Sequence, residues 1–148
     1  MDDEFDEFVA AVRPRLRRAF VGCRGLDGAD DATAEALAWA WEHWSEVQAM
    51  TNPAGYLYRV GRNRTKPRRR VSLRMPDPSG IPEVEPALVP ALFALPLKQR
   101  TAVWLVHGCG WQYAEVADAM ETSTSMVGNH VTRGLARLRR ALKAERDA

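Results

Sequence analysis

The sequence predicts an all-α protein, built as two small helical domains joined by a Pro-rich linker. Three observations carry that reading. Apolar residues recur at three- and four-residue steps through most of the chain, and no period-two alternation appears. Between residues 71 and 90, Pro76, Pro78, Pro82, Pro86 and Pro90 fall among Ser, Gly and acids and break the helical pattern. Residues 95–142 lay out a helix, a Gly-rich break, a short helix, a turn and a long helix ending in arginines. That is the order of a helix-turn-helix, a unit that places its last helix in the DNA major groove. The expected division is a first domain over 1–70, a linker over 71–86 and a helix-turn-helix domain over 87–148.

The first helix is expected over 3–21, where Phe5, Phe8, Val9, Val12, Leu16 and Phe20 form one stripe. Pro14 inside it predicts a kink or a late start. Gly22 to Gly28 reads as a break. A second helix follows from about Asp30 to Trp44, with Asp27 or Asp30 as cap. Asn52-Pro53 starts a third, Asn as cap and Pro at the first helical position, and it ends at or before Pro67. Leu57, Val60 and Gly61 lie on one side of this helix, and Arg59, Arg62 and Lys66 on the other. Fourteen extended linker residues from Ser72 to Glu85 could span about 45 Å. Beyond the linker, short helices are expected over Ala87–Leu95 and Leu97–His107, the latter stopped by Gly108 and Gly110. Tyr113, Val116, Ala117 and Met120 form the buried stripe of the next. Ser123 caps the last helix, whose inner face is Val127, Val131, Leu135, Leu138 and Leu142.

Charge is unevenly spread. The net of +2 divides into −6 over residues 1–58, +8 over 59–74, −4 over 75–132 and +4 over 133–148. Two basic patches on an otherwise acidic chain point to two places that meet phosphate. Cys23 and Cys109 have no CxxC partner, which fits free thiols in a reducing, cytoplasmic compartment. No 18-residue apolar run predicts membrane insertion, and Met-Asp-Asp-Glu has the wrong charge for a secretory signal. His43, His107 and His130 lack metal-ligand spacing, so neither a metal nor a cofactor is expected. No nucleophile stands beside a base and no Gly-rich phosphate cradle is present, so the chain does not read as an enzyme.

The outer face of the last helix carries Ser125, Met126, Asn129, Arg133 and Arg137, with His130 and Thr132 on its flanks. Asn129 can pair with adenine and Arg133 with guanine in the major groove. Ser125, His130 and Thr132 can reach phosphates or base edges, and Arg137 adds phosphate charge. Gly128 and Gly134 permit close approach to DNA or simply mark a weak helix. On the third helix, Tyr56, Tyr58, Arg59, Arg62, Asn63 and Lys66 interleave aromatics with bases, a pattern suited to a separated strand. Tyr58 is expected toward the basic side, as the better stacking platform. Trp39, Trp41 and Trp44 span too many faces for all three to be buried in a small domain, so one should be exposed. Glu115 is expected as a partner for backbone or arginine.

On these residues the chain resembles the extracytoplasmic-function family of bacterial RNA polymerase sigma factors over nearly its whole length. Ala29-Asp30-Asp31-Ala32 through Ala40-Trp41-Glu42-His43-Trp44 looks like that family's polymerase-binding helix, which points to Asp30, Asp31, Glu35 and Trp41. Pro53 through Asn63 is similar to the helix that handles the downstream promoter element. Leu95 to Arg100 and Tyr113 to Arg139 resemble the domain that reads the upstream element. The resemblance implies a factor that directs polymerase core to promoters, touching duplex DNA and a flipped base of the melted strand. Its partners would be polymerase core, promoter DNA and an anti-sigma factor. The pattern departs at Ala32 and Ala34, where the family has Leu and Gln, at Pro67, where it has Asp, and at Met126 and Gly128. Those departures motivate an alternative, a sigma-like DNA-binding regulator that does not support initiation.

Overall fold

The computed structural model describes residues 2–66 and 87–147, and every described element is helical. The expectations for the linker, including Pro67, Arg68, Arg69, Arg70 and the 45 Å span, lie outside those residues. Helix α1 runs Asp2–Glu42, α2 Trp44–Ala49 and α3 Pro53–Arg64. After the linker come α4 Leu88–Phe93, α5 Leu97–Val103, a π-helical turn Trp104–Gly108, α6 Tyr113–Met120 and α7 Thr124–Asp147. The segments before and after residues 67–86 are called the first and second modules below. They pack on one another through a shared core.

The expected break between the first two helices narrows to one residue. Gly25 adopts φ 74° and ψ −179°, where a side chain would be strained, and α1 is helical on both sides of it. Pro14 stays within the helix. The kink is clipped to the end of α3 by Arg24, which donates to the Arg62 carbonyl at 2.9 Å and the Thr65 carbonyl at 3.2 Å. A cation there complements the negative end of α3. At the other end Asn52 Oδ1 accepts from the Gly55 amide at 3.4 Å, and Pro53 opens the helix as expected.

The first module's core is Val12, Leu16, Phe20, Leu37, Trp39, Ala54, Leu57 and Tyr58. Tyr58 is therefore not on the basic face. It is 1% exposed and stacks on Phe20 at 5.0 Å between ring centres. It also meets the Trp111 ring edge-on at 6.0 Å, so it is enclosed from both modules. Gly61 is tight there, because a Cβ would lie 2.4 Å from Phe20 and 2.6 Å from the Ala32 carbonyl. Ala32 is thus a fully buried packing position, so the shortened side chain there takes nothing from an exposed surface. Ala34 is exposed.

In the second module Leu92, Leu95, Val103 and Leu138 form a small cluster of their own. Leu105, Trp111, Val116, Ala119, Val127 and Val131 join the first module's core instead. The helix expected through His107 stops being α-helical at Val103 and widens into the π turn, after which Gly110 turns the chain at φ 71°. Trp104 is 2.4 Å from where a Cβ on Gly22 would be, and its Nε1 donates to the Arg18 carbonyl at 2.8 Å. Gly22 is therefore a contact point between modules. Tyr113, expected in the buried stripe of α6, is 41% exposed, while Val116 and Ala117 are buried as expected.

Candidate nucleic-acid interfaces

The α6–α7 turn is built by three devices. Glu121 takes the left-handed conformation, φ 55° and ψ 49°, which reverses the chain after α6. Ser123 Oγ accepts from the Met126 amide at 3.1 Å, the expected cap of α7. Glu115 Oε1 accepts from the Gln112 amide at 3.1 Å and closes the start of α6. Burial alone would raise the Glu115 carboxyl. The hydrogen bond from Arg15, the Gln112 amide and the Arg15 charge outweigh it and hold the group below the ordinary carboxylate range.

On α7 the outer face is open. Ser125, Met126, Asn129, Thr132, Arg133 and Arg137 are exposed, and His130 is half-buried beside Met126. The Asn129 amide makes a weak contact to Met126 Sδ at 3.8 Å, which a base edge could displace. Among the described residues neither Arg133 nor Arg137 forms an ion pair. Gly134 faces the other way. Its Cβ would lie 2.6 Å from Val103, so it allows α7 to approach α5 and has no part at the outer surface. Gly128 has only Tyr113 nearby, at 3.6 Å.

The α3 face differs. Arg59 lies over the Tyr56 ring at 4.9 Å, and Tyr56 leans on Trp39 at 5.1 Å, with His43 stacked beyond it at 4.1 Å. A recess of about 270 Å³ opens between Met50, Thr51, Asn52, Tyr56 and Arg59, and Asp118 of α6 forms its far wall. Asn52 Nδ2 donates to Asp118 Oδ2 at 3.1 Å. Arg59 reaches the Asp118 carbonyl at 3.5 Å. Arg62 donates to the Ala119 carbonyl at 3.4 Å and to Glu121 Oε2 at 3.3 Å. The basic residues of the first module thus point at the end of α6 in the second.

Residues 88–138 match the family Sigma-70, region 4. No curated protein matches the whole sequence. Among solved structures the chain is similar to the sigma factor RpoE from Bartonella quintana, determined in complex with the anti-sigma factor NepR. The two are 22% identical with a TM-score of 0.69, over 95% of this chain and 97% of that one. The chain therefore shares the fold of that sigma factor.

Within the matched residues every base-reading candidate is placed together on α7. On α3, Arg59 and Arg62 turn toward the end of α6 and Asn63 is exposed, while exposed Lys66 lies past the helix end beside Asp31 and Glu35. Tyr58 leaves that group. Its hydroxyl pairs with the buried Cys23 thiol, and burial pushes the thiol up and the phenol well up. Half-buried Tyr56 takes its place as the ring nearest the basic side.

The polymerase-side candidates are all exposed on the second half of α1 but do not form one cluster. Asp30 pairs with Arg17 at 2.8 Å. Asp31 and Glu35 border a recess shared with Lys66, and Glu35 is 3.9 Å from Arg64. Trp41 is the exposed tryptophan that the sequence demanded, at 52%, packed on Phe5 at 4.9 Å. It lies eleven residues from Asp30, about three turns along the same face.

Residues that sequence reading missed are Arg15, Arg24, Trp111, Asp118 and Glu121. Arg15 binds Glu115 at 2.8 Å and covers the Trp111 ring at 5.2 Å. Both Cys23 and Cys109 are free thiols. No group of three or more His, Cys, Asp or Glu among the described residues could hold a metal ion, and no described helix is long and apolar enough to cross a membrane.

Proposed function

We propose that this chain is a sigma factor that directs RNA polymerase core to specific promoters in the cytoplasm. It confers promoter choice on the polymerase and catalyses nothing itself. The observation that carries the reading is the open, unpaired outer face of α7, within a domain that matches sigma-70 region 4. Residues 1–70 act as the domain for core binding and strand capture, 71–86 as linker and 87–148 as the reader of the upstream element. Asn129 and Arg133 read bases, Ser125, Met126, His130 and Thr132 contact edges or phosphates, and Arg137 adds backbone charge. Tyr56, Arg59, Arg62, Asn63 and Lys66 hold the melted strand at the recess before α3. Asp30, Asp31, Glu35 and Trp41 face polymerase. An anti-sigma protein belongs among the partners, since the similar RpoE was solved with one.

The test is run-off transcription with purified polymerase core and a genomic promoter library. Specific transcripts that depend on the chain are the expected result. Their absence with folded protein present, together with no saturable binding to core in a pull-down, would favour a non-initiating regulator.

A further inference from the structure

The two candidate DNA faces are not equally available. The α7 face is open, whereas the α3 face is already occupied by oxygen atoms. Asn52, Arg59 and Arg62 meet the Asp118 carboxylate, the Asp118 and Ala119 carbonyls and the Glu121 carboxylate, at 3.1 to 3.5 Å. These acceptors converge at the C-terminal end of α6, where the helix dipole adds negative potential. Such a set offers arginine what a phosphodiester offers: anionic oxygens at hydrogen-bond distance.

Glu121 strengthens the point. It occupies a left-handed backbone position, φ 55°, that favours Gly or Asn. Local geometry gives no reason for a glutamate there. Its carboxylate is 3.3 Å from Arg62 and 3.9 Å from Arg59, so it serves both strand-side arginines.

We propose that the end of α6 acts as an intramolecular phosphate mimic that closes the single-strand face of α3 in the free chain. The proposal rests on the reading of α3 as the strand-binding helix. The pairs involved are 27% to 55% exposed, so each is weakly stabilising and readily exchanged for a polyanion. The closed contact reduces strand affinity by the fraction of molecules that are open.

A charge-neutral wedge tests it. Gly55 lies where α3 meets α6, and a Cβ there would be 3.0 Å from the Glu115 carbonyl and 3.2 Å from Asp118 Cβ. Gly55→Leu in the full chain should separate the modules without altering net charge. The probes are a fluorescein-labelled mixed-sequence 20-nucleotide single strand and the matching duplex, read by anisotropy at fixed salt. Small-angle scattering reports compaction, with a closed chain near 15 Å in radius of gyration. Single-strand affinity should rise at least fivefold, duplex affinity should change less than twofold, and the radius should grow by several ångström.

Asp118→Asn with Glu121→Gln is the second variant, for the case in which Gly55→Leu does not fold. Its control, Glu7→Gln with Glu46→Gln, removes the same charge from exposed positions away from α6. The Asp118/Glu121 variant should bind single strand at least fivefold tighter than the control. Equal affinity of the two would overturn the proposal. An expanded Gly55→Leu chain with unchanged strand affinity would overturn it through the reading of α3, while a transcription assay would show separately whether sigma activity stands.

Discussion

Glu115 joins local and inter-module structure, and its two jobs can be separated. One carboxylate oxygen closes the start of α6 by accepting from Gln112, and the other binds Arg15 of α1. Losing the helix-start bond costs about 1 kcal/mol. The Arg15 pair has side chains 44% and 21% exposed, so screening keeps its worth to about 0.5 kcal/mol. Glu115→Ala should therefore lose about 1.5 kcal/mol in urea unfolding, the sum of those two terms. Glu115→Gln keeps an acceptor for Gln112 and should lose only the smaller part. A double-mutant cycle with Arg15→Ala isolates the pair. The pH dependence has a definite sign. Because the folded carboxyl lies below its ordinary 4.5, its contribution is complete above the unfolded value and fades as pH falls through the folded one. The gap between wild type and Glu115→Gln should thus be constant from pH 5 to 8 and shrink below about pH 4. Equal losses for the Ala and Gln variants, or a gap that widens in acid, would refute the reasoning.

Three further outcomes follow from the same geometry. Arg133→Ala should weaken upstream-element binding by about 1–3 kcal/mol and relax choice at one position, measured by competition among single-base variants of the site; equal losses on every sequence would make Arg133 a phosphate contact only. Gly128→Ala should raise stability by about 1 kcal/mol, because its Cβ would meet only Tyr113 at an ordinary 3.6 Å; a lower melting temperature would show a hidden clash. Cys109 is pushed up to about 12 by burial, despite Arg18 and Arg15 nearby. Its alkylation at pH 8 should run on the order of a thousandfold below a free thiol, and fast labelling of the native chain would contradict that environment.

The order of the helices was legible because each carries its own signal. Asn52-Pro53 started α3, Ser123 capped α7, and the apolar stripe of α7 buried Val127, Val131 and Leu138. The seven outer residues of α7 came out on one face because a long regular helix preserves the hundred-degree rule. Tyr58 failed for a reason that the rule omits. A helix gripped by α1 on one side and by α6 on another has little open surface, and Tyr58 is enclosed between Phe20 and Trp111. The inter-module contacts were not legible either. Asp118, Glu121 and Gly55 carried no motif of their own in the sequence, and Gly22 read as the start of a break. Only tertiary packing shows that Trp104 rests on Gly22 and α6 on Gly55. A sequence signal did exist for the acids: two of the three carboxylates between residues 100 and 132 lie within four residues of the turn, opposite a chain segment rich in arginine.

The unequal state of the two faces also suits the order in which DNA presents itself. On the proposed function, duplex is available at all times, so a reading helix can stay uncovered, and Asn129, Arg133 and Arg137 are exposed. Separated strand at a promoter exists only after the duplex has been opened, and a basic aromatic surface left bare before then would bind RNA and any other single strand by charge alone. Covering that surface with weak, exposed ion pairs excludes such ligands at little cost in later binding, since many phosphates together can displace two carboxylates that individually stabilise little. The same logic explains why the cover comes from the end of α6 and not from α7. A cover drawn from α7 would place the reading face against α3 and silence both surfaces, whereas the short turn at Glu121 occupies the strand side and leaves the long helix free for duplex.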